Sequence, residues 1–127
     1  MACPYFEPRH RLEDETSPIP PPLGDYYGGR CVAGDPFEPG PETVRDLCNY
    51  GYVRGRCARF PGGDAADAVR FTIGSDDETV VVIRYAIERD HYPLDHGELS
   101  FRHAAQPRDS VLLRQAQAYL ESYLRRL

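Results

Sequence analysis

The sequence predicts an α+β fold. A small antiparallel three-stranded meander and a C-terminal helix stand beside an irregular Pro/Gly-rich, cysteine-bearing N-terminal half. Three observations predict it. Residues 68–74, 79–89 and 96–103 alternate apolar and polar side chains or form β-branched runs, with short polar turns between them. Residues 109–127 carry one apolar stripe at helical spacing. Residues 1–63 hold nine of the eleven glycines, ten of the twelve prolines and all four cysteines.

The chain of 127 residues is read as a single domain. Residues 1–63 form its irregular, metal-binding half and residues 64–127 the meander and helix. In AVRFTIG, Val69, Phe71 and Ile73 fall on one face and Arg70 and Thr72 on the other. SDDE follows as a polar turn. TVVVIRYAIER is β-branched and long enough for the central strand. HGELSFRH alternates again, with Leu99 and Phe101 inward. Asp109 is placed to cap the final helix, whose stripe is Leu112, Ala116, Tyr119, Leu120, Tyr123 and Leu127. Arg125 and Arg126 suit the negative end of its dipole. A shorter helix is expected from about Glu42 to Cys48, with Pro41 in its first turn and Gly51 past its end.

The N-terminal half does not read as a flexible linker. SPIPPPLGDYYGG and AGDPFEPGPE are turn and polyproline sequences. Yet eight aromatic residues from Tyr5 to Phe60 lie in this half, and disordered segments are poor in aromatics. Such a half buries groups without much regular structure, so something must pin it.

Cys3, Cys31, Cys48 and Cys57 are the candidates, with gaps of 27, 16 and 8 residues. No stretch approaches the roughly 18 apolar residues of a membrane span. The opening residues lack the basic-then-apolar pattern of a secretory signal. A cytoplasmic location follows, where structural disulfides are rare. Four thiolates suit either a structural zinc or a cubane iron–sulfur cluster (4Fe-4S). Zinc sites lean on the C-x-x-C pair, which is absent here. A cubane is larger, and its iron corners can be held by single cysteines from separate turns. The first expectation is therefore a 4Fe-4S protein, its cluster structural or redox-active with a protein partner. The alternative is a zinc-stapled protein-interaction module. Disulfides or plain core thiols stand behind both.

LCNYGYVRGRC surrounds two of these cysteines with tyrosine and arginine. Either metal centre with four thiolates carries about two negative charges. Arg30, Tyr52, Arg54 and Arg56, with Arg59, are expected to surround the centre, the arginines offsetting that charge. The same arginine–aromatic pattern also occurs in single-strand nucleic-acid binders. The net charge of −5 argues against a nucleic-acid partner for the whole chain.

ERDHYPLDHGELSFRH gathers Glu88, Asp90, His91, Asp95, His96, Glu98 and His103. A metal-dependent enzyme using this segment is the third expectation. Pro93 and Gly97 mark it as a turn between strands, where such residues are ordinary. There is no G-x-S-x-G, P-loop or G-x-G-x-x-G, and no catalytic residue is assigned.

Overall fold

The computed structural model describes residues 1–13, 19–53, 56–61, 66–77, 79–102 and 110–126. The elements run β1 (Phe6–Arg11), β2 (Tyr27–Cys31), α1 (Pro41–Thr43), β3 (Ala68–Asp76), β4 (Val80–Arg89), β5 (Tyr92–Arg102) and α2 (Val111–Arg125). α1 continues directly into a π-helical turn over Val44–Cys48. The fold is α+β.

β3, β4 and β5 form the antiparallel meander with β4 in the centre. Its inward face follows the alternation: Val69, Phe71, Val81, Ile83 and Phe101 are buried, and Ile73 and Leu99 pack against them. Ile73 pairs with Ile83, and Ile83 with Leu99, so the apolar residues stack across the strands. β3 extends to Asp76, two residues past the predicted strand. The larger correction concerns β5, which starts at Tyr92 and contains both Pro93 and Gly97. The turn is the pair Asp90–His91, with φ +50° and +71°. Two successive left-handed residues match the twist of a tight hairpin. Pro93 is tolerated because β5 is an edge strand.

α2 begins at Ser110, whose Oγ accepts from the Leu113 N–H at 3.1 Å. Asp109, the expected cap, lies outside the described residues, as does Leu127. Ala116 and Leu120 are buried, and Tyr119 stacks on Phe71 at 5.8 Å. The helix also buries Gln115, Gln117 and Ser122, which the apolar stripe does not include. It does so because it packs against β1 as well as β4. Arg125 and Arg126 both bond Asp25, Arg126 at 3.1 Å.

The N-terminal half is more regular than expected. β1 and β2 pair antiparallel, with Phe6 opposite Cys31 and Glu7 opposite Arg30. FEPRHR and YGGRC lack the strand signature because proline and glycine are poor strand formers. Here each has a structural reason. The register shifts between Pro8 and His10. A Cβ at Gly29 would stand 2.0 Å from the Glu7 carbonyl oxygen, so only glycine allows this pairing. One continuous core joins the halves, with Phe6, Leu23, Tyr27, Val44 and Val53 packed among Val69, Ile83, Phe101 and Leu120. Full burial of each such large side chain is worth about 1.5–3 kcal/mol. Among the described residues no helix is long and apolar enough to cross a membrane.

Candidate metal centre

Four separate segments deliver the four cysteines to one place. Ala2 is bridged to Val69 at the edge of β3, its N–H donating to the Val69 carbonyl at 2.9 Å and its carbonyl accepting from Val69 at 2.8 Å. Cys3 follows at once, and its N–H donates to the Cys48 carbonyl at 3.0 Å. Gln115 Nε2, reaching across from α2, donates to the carbonyls of Cys3 at 2.7 Å and Phe6 at 2.8 Å. Cys31 ends β2 and exchanges backbone hydrogen bonds with Phe37.

Cys48 closes the π-helical turn. Asn49, fully buried, clamps this turn to β2. Its Nδ2 donates to the carbonyls of Tyr27 and Val44, and its Oδ1 accepts from the Tyr27 N–H at 3.0 Å. Gly51 then reverses the chain at φ +72°, so close to the N-terminal segment that a Cβ would lie 2.9 Å from the Ala2 oxygen. Cys57 follows one turn later, its N–H donating to the Val53 carbonyl at 2.9 Å.

Cys3, Cys31 and Cys48 are buried, Cys57 is half-buried, and none is in a disulfide. All four line one hollow of about 30 Å³, walled by Tyr5, Phe6, Phe37, Leu47, Val53 and Phe60. Among the described residues, no three or more His, Cys, Asp or Glu side chains are grouped so that they could hold a metal ion.

The electrostatics are those of an apolar pocket. Burial pushes the Cys3 thiol up to about 11, against backbone N–H groups of Tyr5 and Phe6 that pull it down. Burial, reinforced by the other three cysteines, pushes Cys48 up to about 12. The Ala33 N–H donates to Cys31 Sγ at 3.4 Å. Backbone amides aimed at sulfur, with aromatic walls, are a suitable setting for thiolates that bind metal.

The expected charge partners are distributed differently. Arg30 points its guanidinium at Glu7, 3.3 Å away. Tyr52, at φ +52°, donates its hydroxyl to Glu88 and stacks on His91 at 4.1 Å. Tyr52 therefore anchors the cysteine loop to the meander rather than walling the hollow. Arg56 is exposed, and Arg54 lies outside the described residues. Arg59 does line the hollow, with its guanidinium 4.0 Å over the Phe37 ring and donating to the carbonyls of Ala33 and Asp35.

The histidine-rich segment is spread along a hairpin. Glu88 is buried against Arg70 at 3.1 Å, and Glu98 pairs with Arg84 at 3.1 Å. Asp95 accepts from the His96 N–H. His103 lies outside the described residues. Asn49 and Gln115, which place two of the four cysteines, escape sequence reasoning because nothing local distinguishes a buried amide from a surface one. Comparison with protein-family models, curated proteins and solved structures finds no match to this chain.

Proposed function

We propose that this is a small cytoplasmic iron–sulfur protein holding a 4Fe-4S cluster on Cys3, Cys31, Cys48 and Cys57. The observation that carries this reading is the shared hollow. Four thiols from four segments line one apolar pocket. A cubane bonds each sulfur to a different iron corner, so four single cysteines from separate segments can hold it. A tetrahedral zinc draws all four to about 2.3 Å from one atom. When bound, the cluster supplies one-electron transfer or a rigid cross-link. The chain supplies water exclusion through Tyr5, Phe37 and Phe60, and N–H donors to sulfur. Cys57, the half-exposed corner, is the side from which a protein partner would exchange electrons.

One observation favours the second reading, a zinc-stapled interaction module. A hollow of about 30 Å³ has room for one or two waters, and so for a bare ion, whereas a cubane must spread the walls. Metal analysis separates the two. Anaerobically purified protein is expected to be brown, absorbing broadly near roughly 400 nm, with about four irons and four sulfides per chain. Colourless protein with one zinc and no iron would overturn the cluster reading.

A further inference from the structure

Of the described residues that line the cysteine hollow, only Phe37 and Arg59 are exposed, Phe37 at 39%. The others are buried or half-buried, and Phe6 and Val53 belong to the continuous core. Phe37 and Arg59 also touch each other, the guanidinium carbon standing 4.0 Å over the ring. The two side chains that reach both the hollow and solvent are thus in contact, and together they form its outer wall.

Phe37 ends a loop that leaves β2 at Cys31. The Cys31 N–H donates to the Phe37 carbonyl at 2.8 Å, and the Phe37 N–H to the Cys31 carbonyl at 3.1 Å. Within the loop the Ala33 N–H donates to Cys31 Sγ, and Gly34 turns the chain at φ +85°. Arg59 reaches over this loop from the other side of the hollow. Its Nη2 donates to the carbonyls of Ala33 at 3.0 Å and Asp35 at 2.9 Å. The base of Arg59 is itself fixed, because the Phe60 N–H donates to the Cys57 carbonyl at 3.1 Å and the Phe60 ring packs edge-on against Tyr5 at 5.6 Å. One guanidinium therefore ties the Cys31 loop to the Cys57 segment.

At about 30 Å³ the closed hollow has room for one or two waters, so neither a hydrated ion nor a cluster passes into it without an opening. Opening through Phe6 or Val53 would break core packing. Opening at the outer wall breaks two exposed hydrogen bonds and one cation–π contact, each of which is weak beside water. We propose that residues 32–37 are the door of the metal centre and Arg59 is its latch: release of the Arg59 fork admits the metal and bares the Cys31 thiol. This rests on the reading of the hollow as a metal centre. A loaded centre of four thiolates carries about two negative charges and attracts the guanidinium at its wall, so loading favours the closed latch.

Iodoacetamide labelling of the full chain as purified, with a chelator in excess, tests this. Mass spectrometry of its peptide reads Cys31. That thiol reacts once the loop has opened, directly in metal-free chains and after the metal has left in loaded ones. Where reclosing outpaces labelling, the rate follows the open population. Arg59→Ala is expected to raise the rate about tenfold through loss of the latch contacts, and Phe37→Ala to raise it as well. Asp25→Asn, which removes the pairing of Asp25 with Arg125 and Arg126 at the end of α2, should leave it unchanged. Labelling of Arg59→Ala at the wild-type rate would overturn the latch. So would an acceleration in Asp25→Asn equal to that in Arg59→Ala, since the thiol would then be reached by opening of the whole fold. Metal analysis of the same samples keeps the two readings apart: faster labelling of Arg59→Ala in a chain that carries no metal supports the latch over the thiols and removes the metal centre.

Discussion

The backbone N–H of Cys3 donates to the carbonyl of Cys48, 3.0 Å away, so the N-terminal cysteine is held against the end of the π-helical turn. Chain ends usually fray. This one is fastened three times, by Val69 at Ala2, by Cys48 at Cys3 and by Gln115 on the Cys3 carbonyl. Cys3 is therefore as well placed to be a ligand as Cys57. If the four cysteines hold the proposed cluster, replacing either with serine is expected to lower bound iron by a similar amount, to below about half, because each would remove one of four ligands. Iron analysis of the two purified variants checks this. Full iron in Cys3→Ser with loss in Cys57→Ser would remove Cys3 from the site.

If the metal staples the four segments, its removal should loosen residues 1–63 more than the meander and α2. Metal binding and folding are coupled where ligands come from segments with little other support. Hydrogen exchange on metal-free and loaded protein should show faster exchange at Cys31, Cys57 and their neighbours, with β4 amides little changed. Equal protection of both halves in both states contradicts a stapling role.

Asn49 makes three hydrogen bonds while fully buried. Asn49→Ala leaves the Tyr27 N–H without its partner and removes the side-chain donor to the Tyr27 and Val44 carbonyls, of which Val44 keeps the Asn49 backbone N–H at 3.1 Å. A loss of about 2–4 kcal/mol is expected, read from the midpoint of urea unfolding at constant slope. A loss below about 1 kcal/mol would mean that the clamp is not what joins β2 to the π-helical turn.

Gly51 has φ +72° and no room for a methyl group, since a Cβ there would lie 2.9 Å from the Met1 and Ala2 oxygens. Gly51→Ala is expected to cost about 1–3 kcal/mol and to lower metal content by displacing the Cys3 segment. Gly40 is the control. It has extended backbone and nothing within 4 Å, so Gly40→Ala should change stability by less than about 0.5 kcal/mol. Similar melting temperatures for the two variants would refute the steric argument.

Asp25 joins the loop before β2 to the end of α2. Burial alone would raise its pKa, but hydrogen bonds from Arg125 and Ser122 and the nearby Arg126 charge outweigh it, so the carboxyl titrates below its ordinary value. A depressed carboxyl contributes stability above its unfolded pKa, about 3.9, and loses it as pH falls through the folded value. Asp25→Asn should therefore be destabilised by about 1 kcal/mol at pH 7. The difference from wild type should shrink as the pH drops below about 4. A gap that persists undiminished at pH 2 would assign the effect to packing.

The meander and the final helix were legible in the sequence because their signal is local. A strand with one buried face must alternate, and a helix with one buried face must repeat every three to four residues, so Val69–Ile73 and Leu112–Tyr123 announce themselves. The four cysteines were legible as a set by residue type alone. Their gathering was expected from residue type but not forced by spacing, since gaps of 27 and 16 residues leave the chain free to place the thiols almost anywhere. Only the tertiary structure brings them to one hollow, through the β1–β2 pairing, the Asn49 and Gln115 clamps and the reversal at Gly51. It also moved the expected charge partners. Arg30 and Tyr52 are near cysteines in sequence, but their side chains find Glu7 and Glu88, because an ion pair or hydrogen bond is chosen by distance in space. The turn at Asp90–His91 was likewise decided by register. Once β4 and β5 pair residue by residue, Pro93 and Gly97 fall inside the ladder, and only two positions remain to reverse the chain.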